Sequence, residues 1–490
     1  MISIWWVMAA LLVPWLAASL WLRWLLRWDA PGAGRWALSL GYGYLLGLLG
    51  VALMLRLQGG LGWPLEPRLT LVLFAGLLLV GVLVLYWRYK RHPAAGGQRP
   101  PLSRWQWLAW LAVGGWLAMR LIDLGLEIWW QPLFPWDAWT TWGARARVWT
   151  ELGSLAPFVS AQAWLNDPGG TAHTIEAWNY PATLSLVMAW PGLVSGGWDE
   201  ILAKLPWMGA GVGLGLGFYG GARGWGASPL TALVFTWLLL SLPLLDTHIA
   251  LAGYADLWLA YALGLAFMSF LLWLRDGDPR QGMLTLVLLL SCAAIKREGL
   301  VWALPFIPAL LVTKLSRFGW LAVGLGVVGI GLGLWFTGGI DWDIPVLGRL
   351  QLSSELIQLP HIGVIKLTRE SPWEPLLRHT FLYSQWHLLP YLIVLALFAA
   401  GVKFWRGGTA AWFQAGLLWT LTALAALYVL FFWTEAYLWA VKATSLNRVI
   451  LHFVPAFTFW LLMVWLEWTQ PPTAIGIPKG SPEGRNSPEG

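Results

Sequence analysis

The chain has 490 residues, of which 58% are hydrophobic and only 11% charged, with 31 Lys and Arg against 24 Asp and Glu. So little charge excludes a water-soluble globule of this length, as well as disordered, collagenous and coiled-coil chains. The net charge of +7 is scattered singly at the ends of apolar runs, which excludes the basic stripe of a nucleic-acid binder, and a lone cysteine, Cys292, excludes an intrachain disulfide or a cysteine metal cluster.

Crossing about 30 Å of hydrocarbon takes roughly 20 apolar residues. Runs of that kind predict helices over 4–22, 37–56, 69–89 and 105–128. After a long polar segment come 207–222, 229–245, 255–274, 281–297, 299–313, 318–337, 387–405, 411–433 and 449–467. The expected fold is therefore all-α, a polytopic membrane protein of about 13 transmembrane helices. The 42 tryptophans fit that reading, because indole favours the bilayer interface. The stretch 183–196 has only 14 residues and contains Pro191, so it reads as a re-entrant or interfacial helix. Residues 1–6 carry no basic group and the first run is of spanning length, so no cleaved signal peptide is expected.

Short loops rich in Lys and Arg lie on the cytoplasmic side. Arg23, Arg27 and Arg35 precede the second run, and Arg88, Lys90, Arg91, Arg99 and Arg104 precede the fourth. Their placement predicts an outside N-terminus, a cytoplasmic C-terminus and two extracytoplasmic loop regions, about 129–182 and 338–386. Three regions follow: an N-terminal three-helix part over 1–104, a larger membrane domain over 105–468, and a cytoplasmic tail over 469–490. The tail repeats Ser-Pro-Glu-Gly at 481–484 and 487–490 and is expected to be disordered.

The richest local motif runs from Phe134 to Trp149, just outside the fourth run. Asp137 stands among tryptophans at a membrane boundary, where partial loss of water raises its basicity and suits it to take a proton from a hydroxyl. It serves equally well as a helix N-cap. Arg145 and Arg147 lie one and a half to three turns farther on, positioned for a phosphate or for lipid headgroups. Within the same loop, His173 and Glu176 share a face if helical and could bind a divalent ion or relay a proton; a solvated loop is the plainer reading. The sequence leaves a metal requirement open.

Asp256 opens the seventh run after a short loop containing Asp246 and His248, either as a second catalytic acid or as a cap interacting with the helix dipole. Lys296, Arg297 and Glu298 interrupt two very apolar runs. Ionisable groups there are rare, and either function or clamping of the hairpin explains them. Arg448 at the start of the last run opposes the helix dipole and calls for an anionic partner such as a lipid phosphate. His452 lies one turn along the same face and reads as a packed polar residue. Gly209, Gly213, Gly217 and Gly221 form a smooth ridge for close helix packing. Gly324 to Gly329 matches a dinucleotide-binding pattern only by accident, since no strand precedes it.

Together, Trp136-Asp-Ala-Trp139, Ala144-Arg-Ala146, Asn179-Tyr-Pro181, Gly253-Tyr-Ala-Asp256, Lys296-Arg-Glu-Gly299 and Leu446-Asn-Arg448 with Pro455 form an ordered series over residues 105–467. That order resembles the GT-C class of membrane glycosyltransferases, in the branch of protein mannosyltransferases and aminoarabinose transferases. The resemblance implies transfer of a sugar from a polyprenyl-phosphate donor to an extracytoplasmic acceptor, in a bacterial inner or plasma membrane and among membrane lipids. Asp137 would act as base or orient the acceptor, Asp256 would share the catalytic site, and Arg448 with Arg145 would hold the carrier phosphate. Arg147, His173, Glu176, Tyr180, Lys296, Glu298 and His452 complete the expected substrate-binding set. The chain departs from the commoner pattern, because three extra helices come first and Ala138 stands where a second acid often follows. Other readings are a transporter or flippase of a lipid-linked intermediate, for which no repeated halves are visible, and a non-catalytic scaffold, which leaves the acids without a purpose.

Overall fold

A computed structural model describes residues 4–28, 33–91, 103–167, 169–345, 348–359 and 363–470. The tail from 471, whose disorder the sequence suggests, and Arg99 lie outside the described residues. The chain is mostly helical. Helices α1 (Ile4–Leu25), α2 (Arg35–Gly60), α3 (Pro67–Arg91) and α4 (Arg104–Trp130) come first, the last opened by a capping box in which Ser103 and Gln106 exchange hydrogen bonds. A π-helical turn at Ala138–Trp142 leads into α5 (Gly143–Leu152), β1 (Phe158–Val159), α6 (Ala161–Leu165), β2 (His173–Thr174) and α7 (Thr183–Ser195).

The second half comprises α8 (Glu200–Gly224), α9 (Pro229–Leu240), α10 (Pro243–Ala250), α11 (Asp256–Asp276), α12 (Pro279–Ile295), α13 (Glu298–Trp302), α14 (Phe306–Lys314) and α15 (Arg317–Thr337). Strands β3 (Ile340–Ile344), β4 (Gly348–Leu352), β5 (Leu356–Leu359) and β6 (Gly363–Lys366) follow, then α16 (Trp373–Leu377) and a π-helical turn at Arg378–Leu382. Helices α17 (Leu389–Arg406), α18 (Ala411–Trp433), α19 (Tyr437–Val441) and α20 (Leu446–Thr469) close the chain.

Each of the thirteen expected runs is helical, whole or in pieces. Among the described residues, eight helices are long and apolar enough to cross a membrane, and a ninth span results if α9 and α10, bent by 69°, are taken as one. The chain is thus a multi-pass membrane protein. The bend also corrects the expected loop at Asp246 and His248, which lie within α10. Asp246 accepts from the Arg120 guanidinium of α4, at 2.8 Å from Nε and 2.5 Å from Nη2. Helix α7 has 13 residues and contains Pro191. At 1.5 Å per residue it reaches about 20 Å, too short to span, and it is packed within the bundle rather than lying on its surface.

An all-α fold is corrected by the second long loop, where β3 to β6 form an antiparallel four-stranded meander. Ile340, Trp342 and Ile344 alternate with Asp341 and Asp343, the period of two that a strand requires. Asp341 accepts from Arg349 across β3 and β4, at 2.8 and 2.5 Å.

Helix α11 is the axis of the bundle. Every residue from Asp256 to Leu272 is buried, as expected of a helix apolar on all sides. By contrast, α3 turns Val72 and Leu79 outward, which in a bilayer face lipid. The glycine ridge of α8 acts as expected. A Cβ on Gly217 would lie 2.8 Å from Leu265 of α11, and one on Gly41 of α2 only 2.2 Å from the Gly217 backbone. Backbone meets backbone there, which holds α2, α8 and α11 close enough to align their ends.

Candidate active site

The N-termini of α11 and α20, the break between α12 and α13, and the turn at Ala138–Trp142 all meet at one end of the bundle. Together with residues 176–180 they enclose a cavity of about 500 Å³, lined by Asp137, Glu176, Tyr180, Asp256, Lys296, Glu298 and Arg448 among others. Stretches more than 300 positions apart in sequence are thereby joined directly. The Arg448 guanidinium donates through Nη2 to Asp137 Oδ2 and through Nε to Asp256 Oδ2 at 2.9 Å, and Nη2 also lies 2.8 Å from Asp256 Oδ2 as an ion pair.

Asp256 is the fixed point of this network. Its side chain is fully buried, and besides Arg448 it accepts from Lys296 Nζ at 2.9 Å and meets His452 Nε2 at 2.8 Å. The indole N–H of Trp302 can only donate, and it reaches His452 Nδ1 at 3.1 Å. That assigns the imidazole hydrogen to Nε2, aimed at Asp256 Oδ1. Neither acid is a cap: Asp137 makes no capping bond to its helix, and Asp256 turns its oxygens to the cations instead. The anion that Arg448 calls for at a helix start is supplied by the chain's own two aspartates.

Asp137 differs in being partly open, with 32% of its side chain exposed, and its remaining oxygen takes no protein donor in the network described above. Tyr180 donates to Glu298 Oε1 at 3.3 Å. Burial, with the Glu298 carboxylate next in weight, pushes the Tyr180 phenol up to about 12, so it stays a donor at neutral pH. Lys296 also lies 3.5 Å from Glu298, so this acid both clamps the hairpin and faces the cavity.

Three expected substrate-binding residues are corrected. Arg145 points away from the cavity into the protein, where it donates to the carbonyls of Tyr180 at 2.9 Å and Ala177 at 3.0 Å. Burial lowers its pKa to about 10, and the guanidinium lies near the Trp149 and Phe158 rings, so it braces the 177–180 turn instead of meeting a phosphate. Arg147 is exposed and paired with Glu151 one turn on, at 2.9 Å. His173 sits in β2 and stacks on Phe158 at 5.5 Å between centroids, whereas Glu176 lies in a turn and lines the cavity. The two therefore do not share a helix face. Among the described residues no three His, Cys, Asp or Glu side chains gather as a metal site.

Sequence reasoning passed over Tyr254, whose ring lies 4.5 Å from the Arg448 guanidinium and holds it from below. Its place two residues before Asp256 was a usable signal. Trp302 gave none, since its partner His452 lies 150 positions away.

Fold and site together define a multi-pass membrane protein with a charged cavity at one end of its helices. Comparison with profiles of known protein families, with curated proteins and with solved structures returns no match.

Proposed function

We propose that the protein is a membrane glycosyltransferase of GT-C type, with thirteen passes, that transfers a sugar from a polyprenyl-phosphate donor to an extracytoplasmic acceptor. The membrane would be a bacterial inner or plasma membrane, with the cavity on its outer face, as the loop charges suggest. The observation that carries the reading is Arg448 joining Asp137 to Asp256 in a cavity at helix ends, where a carrier lipid's phosphate must sit. A polyprenyl tail stays in the bilayer, so its enzyme needs a polar cavity at the interface.

In this mechanism the donor phosphate takes Nη2 of Arg448 from Asp137, while Asp256 and Tyr254 keep the guanidinium in place. Asp137, now free, accepts the acceptor hydroxyl's proton as its oxygen attacks the anomeric carbon. The bond from that carbon to the phosphate oxygen breaks with its electron pair, and Arg448 and Lys296 stabilise the charge on the departing polyprenyl phosphate. Asp256 acts as a positioning group, since its oxygens are occupied by cations and His452. The acceptor is a glycan, lipid or protein in class, and Glu176, Glu298 and Tyr180 offer acceptors and a donor for its hydroxyls or those of the sugar.

The test uses protein in lipid vesicles supplied with polyprenyl-phosphate sugars and candidate acceptors, with release of polyprenyl phosphate as readout. Wild type should turn over, and D137N and R448A should not. Turnover at the wild-type rate with both changed places the chemistry elsewhere. Movement of intact carrier lipid across the bilayer without sugar transfer makes the protein a transporter.

A further inference from the structure

On the far side of α20 lies a second cavity, of about 270 Å³, enclosed by α17, α18, α20 and the segment 373–386. One turn of helix takes 3.6 residues, so Arg448 and His452 lie on one face of α20, and Ile450, Val454 and Phe457 lie on roughly the opposite one. The first face serves the charged cavity and the second this one. Both occupy the same end of the bundle, because α20 lines each within its first turns. The lining of the second contains no charged side chain.

We propose that this cavity binds one ester-linked acyl chain of a bilayer phospholipid, independently of the charged site. Three observations carry it. A cavity of about 150 Å³ lined by aliphatic and aromatic side chains stays dry and takes hydrocarbon, and the walls here are almost wholly of the same kind. The cavity opens sideways, since Val394 of α17 and Tyr428 of α18 line it and are each about half exposed, in a region where bilayer lipid surrounds the helices. At its loop end the Thr380 hydroxyl and the Trp386 indole N–H are buried without a partner among the described residues. Both can donate, and the acceptor an acyl chain brings to that depth is its ester carbonyl. An isoprenoid phosphate has no ester carbonyl, and its phosphate would find no cation in these walls.

Photolabelling tests the proposal on full-length protein in phosphatidylethanolamine vesicles carrying a trace of phosphatidylethanolamine with a diazirine on one acyl chain. A parallel sample carries a diazirine isoprenyl phosphate. Label from the acyl probe should concentrate on Ile393 and Val454 severalfold over the outward-facing Leu395 and Phe398. V454W, or the milder L427F, should abolish the cavity label and leave that on Leu395. Equal labelling at all four positions in wild type, cavity label that survives both substitutions, or capture of the isoprenyl probe in place of the acyl one overturns the proposal. The wild-type comparison needs no variant, so a misfolded substitution leaves it decisive.

Discussion

Replacing Asp256 by Asn keeps the size of the side chain and removes its charge, which isolates what the carboxylate does for the cations around it. Lys296 Nζ and Arg448 Nε each lie 2.9 Å from one of its oxygens. At an effective dielectric of about 20, each pair attracts by roughly 6 kcal/mol, and loss of water from the ions offsets much of that. The net cost of deleting one partner from a buried ion pair is about 3–5 kcal/mol. Asp137 provides the contrast. It shares the same arginine, but with 32% of its side chain exposed its pair is screened, and D137N should cost about 1 kcal/mol or less. Unfolding in mixed micelles with rising dodecyl sulfate, followed by tryptophan fluorescence, should separate the variants by about 2–4 kcal/mol, which is roughly 30- to 700-fold in the unfolding equilibrium. Adding K296M to D256N removes one stranded cation and should restore part of the loss. Equal midpoints for D256N and D137N would refute the view that Asp256 is the charge around which the site is built.

R448K retains the charge but cannot span two carboxylates and a phosphate as a planar fork does, so isoprenyl phosphate should bind about 10- to 100-fold more weakly, measured by thermophoresis of purified protein. R145M strands the carbonyls of Ala177 and Tyr180 and should raise protease cleavage at 176–181, with isoprenyl phosphate affinity changed less than in R448K. The Asp167 carboxylate accepts from the backbone of Ala172, Thr171 and Gly169 at 2.8–3.1 Å, and these N–H donors, Ala172 first, hold its pKa below the usual range. A lowered native value means its stabilisation is present above the unfolded value of about 3.9 and is lost as pH falls through the native one. Amide exchange at 169–172 should therefore gain protection on raising the pH through that window, after correction for intrinsic rates, and D167N should abolish the step.

Apolar runs were legible because hydrocarbon leaves a helix no alternative, so every expected run is helical. Asp137, Asp256, Lys296, Glu298 and Arg448 were legible for the converse reason, being ionisable groups at the ends of such runs. Arg145 misled because its partners are backbone carbonyls, which no residue type announces. The meander at 340–366 was hidden because the segment was read only as an extracytoplasmic loop region, although Ile340 to Ile344 already alternates with a strand's period. The Trp302 to His452 contact was out of reach, since neither residue carries a local mark of the other.

Four carboxylates, Asp137, Glu176, Asp256 and Glu298, face the charged cavity against two cations, Lys296 and Arg448. Taken as ionised, they leave the cavity two negative charges in excess, which opposes entry of a phosphate unless an acid gives way. Asp256 cannot move, being locked by three partners in the protein interior, and Glu298 is held by Tyr180 and Lys296. Among the described residues Glu176 and Glu298 make no ion pair with Arg448, whereas Asp137 shares that guanidinium with Asp256 and is partly open, so Asp137 is the acid that a phosphate arriving at Arg448 displaces. The exchange that seats the donor is then the same event that releases the base, and the acceptor meets an active carboxylate only after the donor has arrived. D137N separates the two effects: without the competing charge, isoprenyl phosphate should bind at least as tightly as to wild type, while turnover falls by about 10²–10⁴-fold. Weaker donor binding in D137N would mean that Asp137 helps hold the phosphate's arginine instead of competing for it.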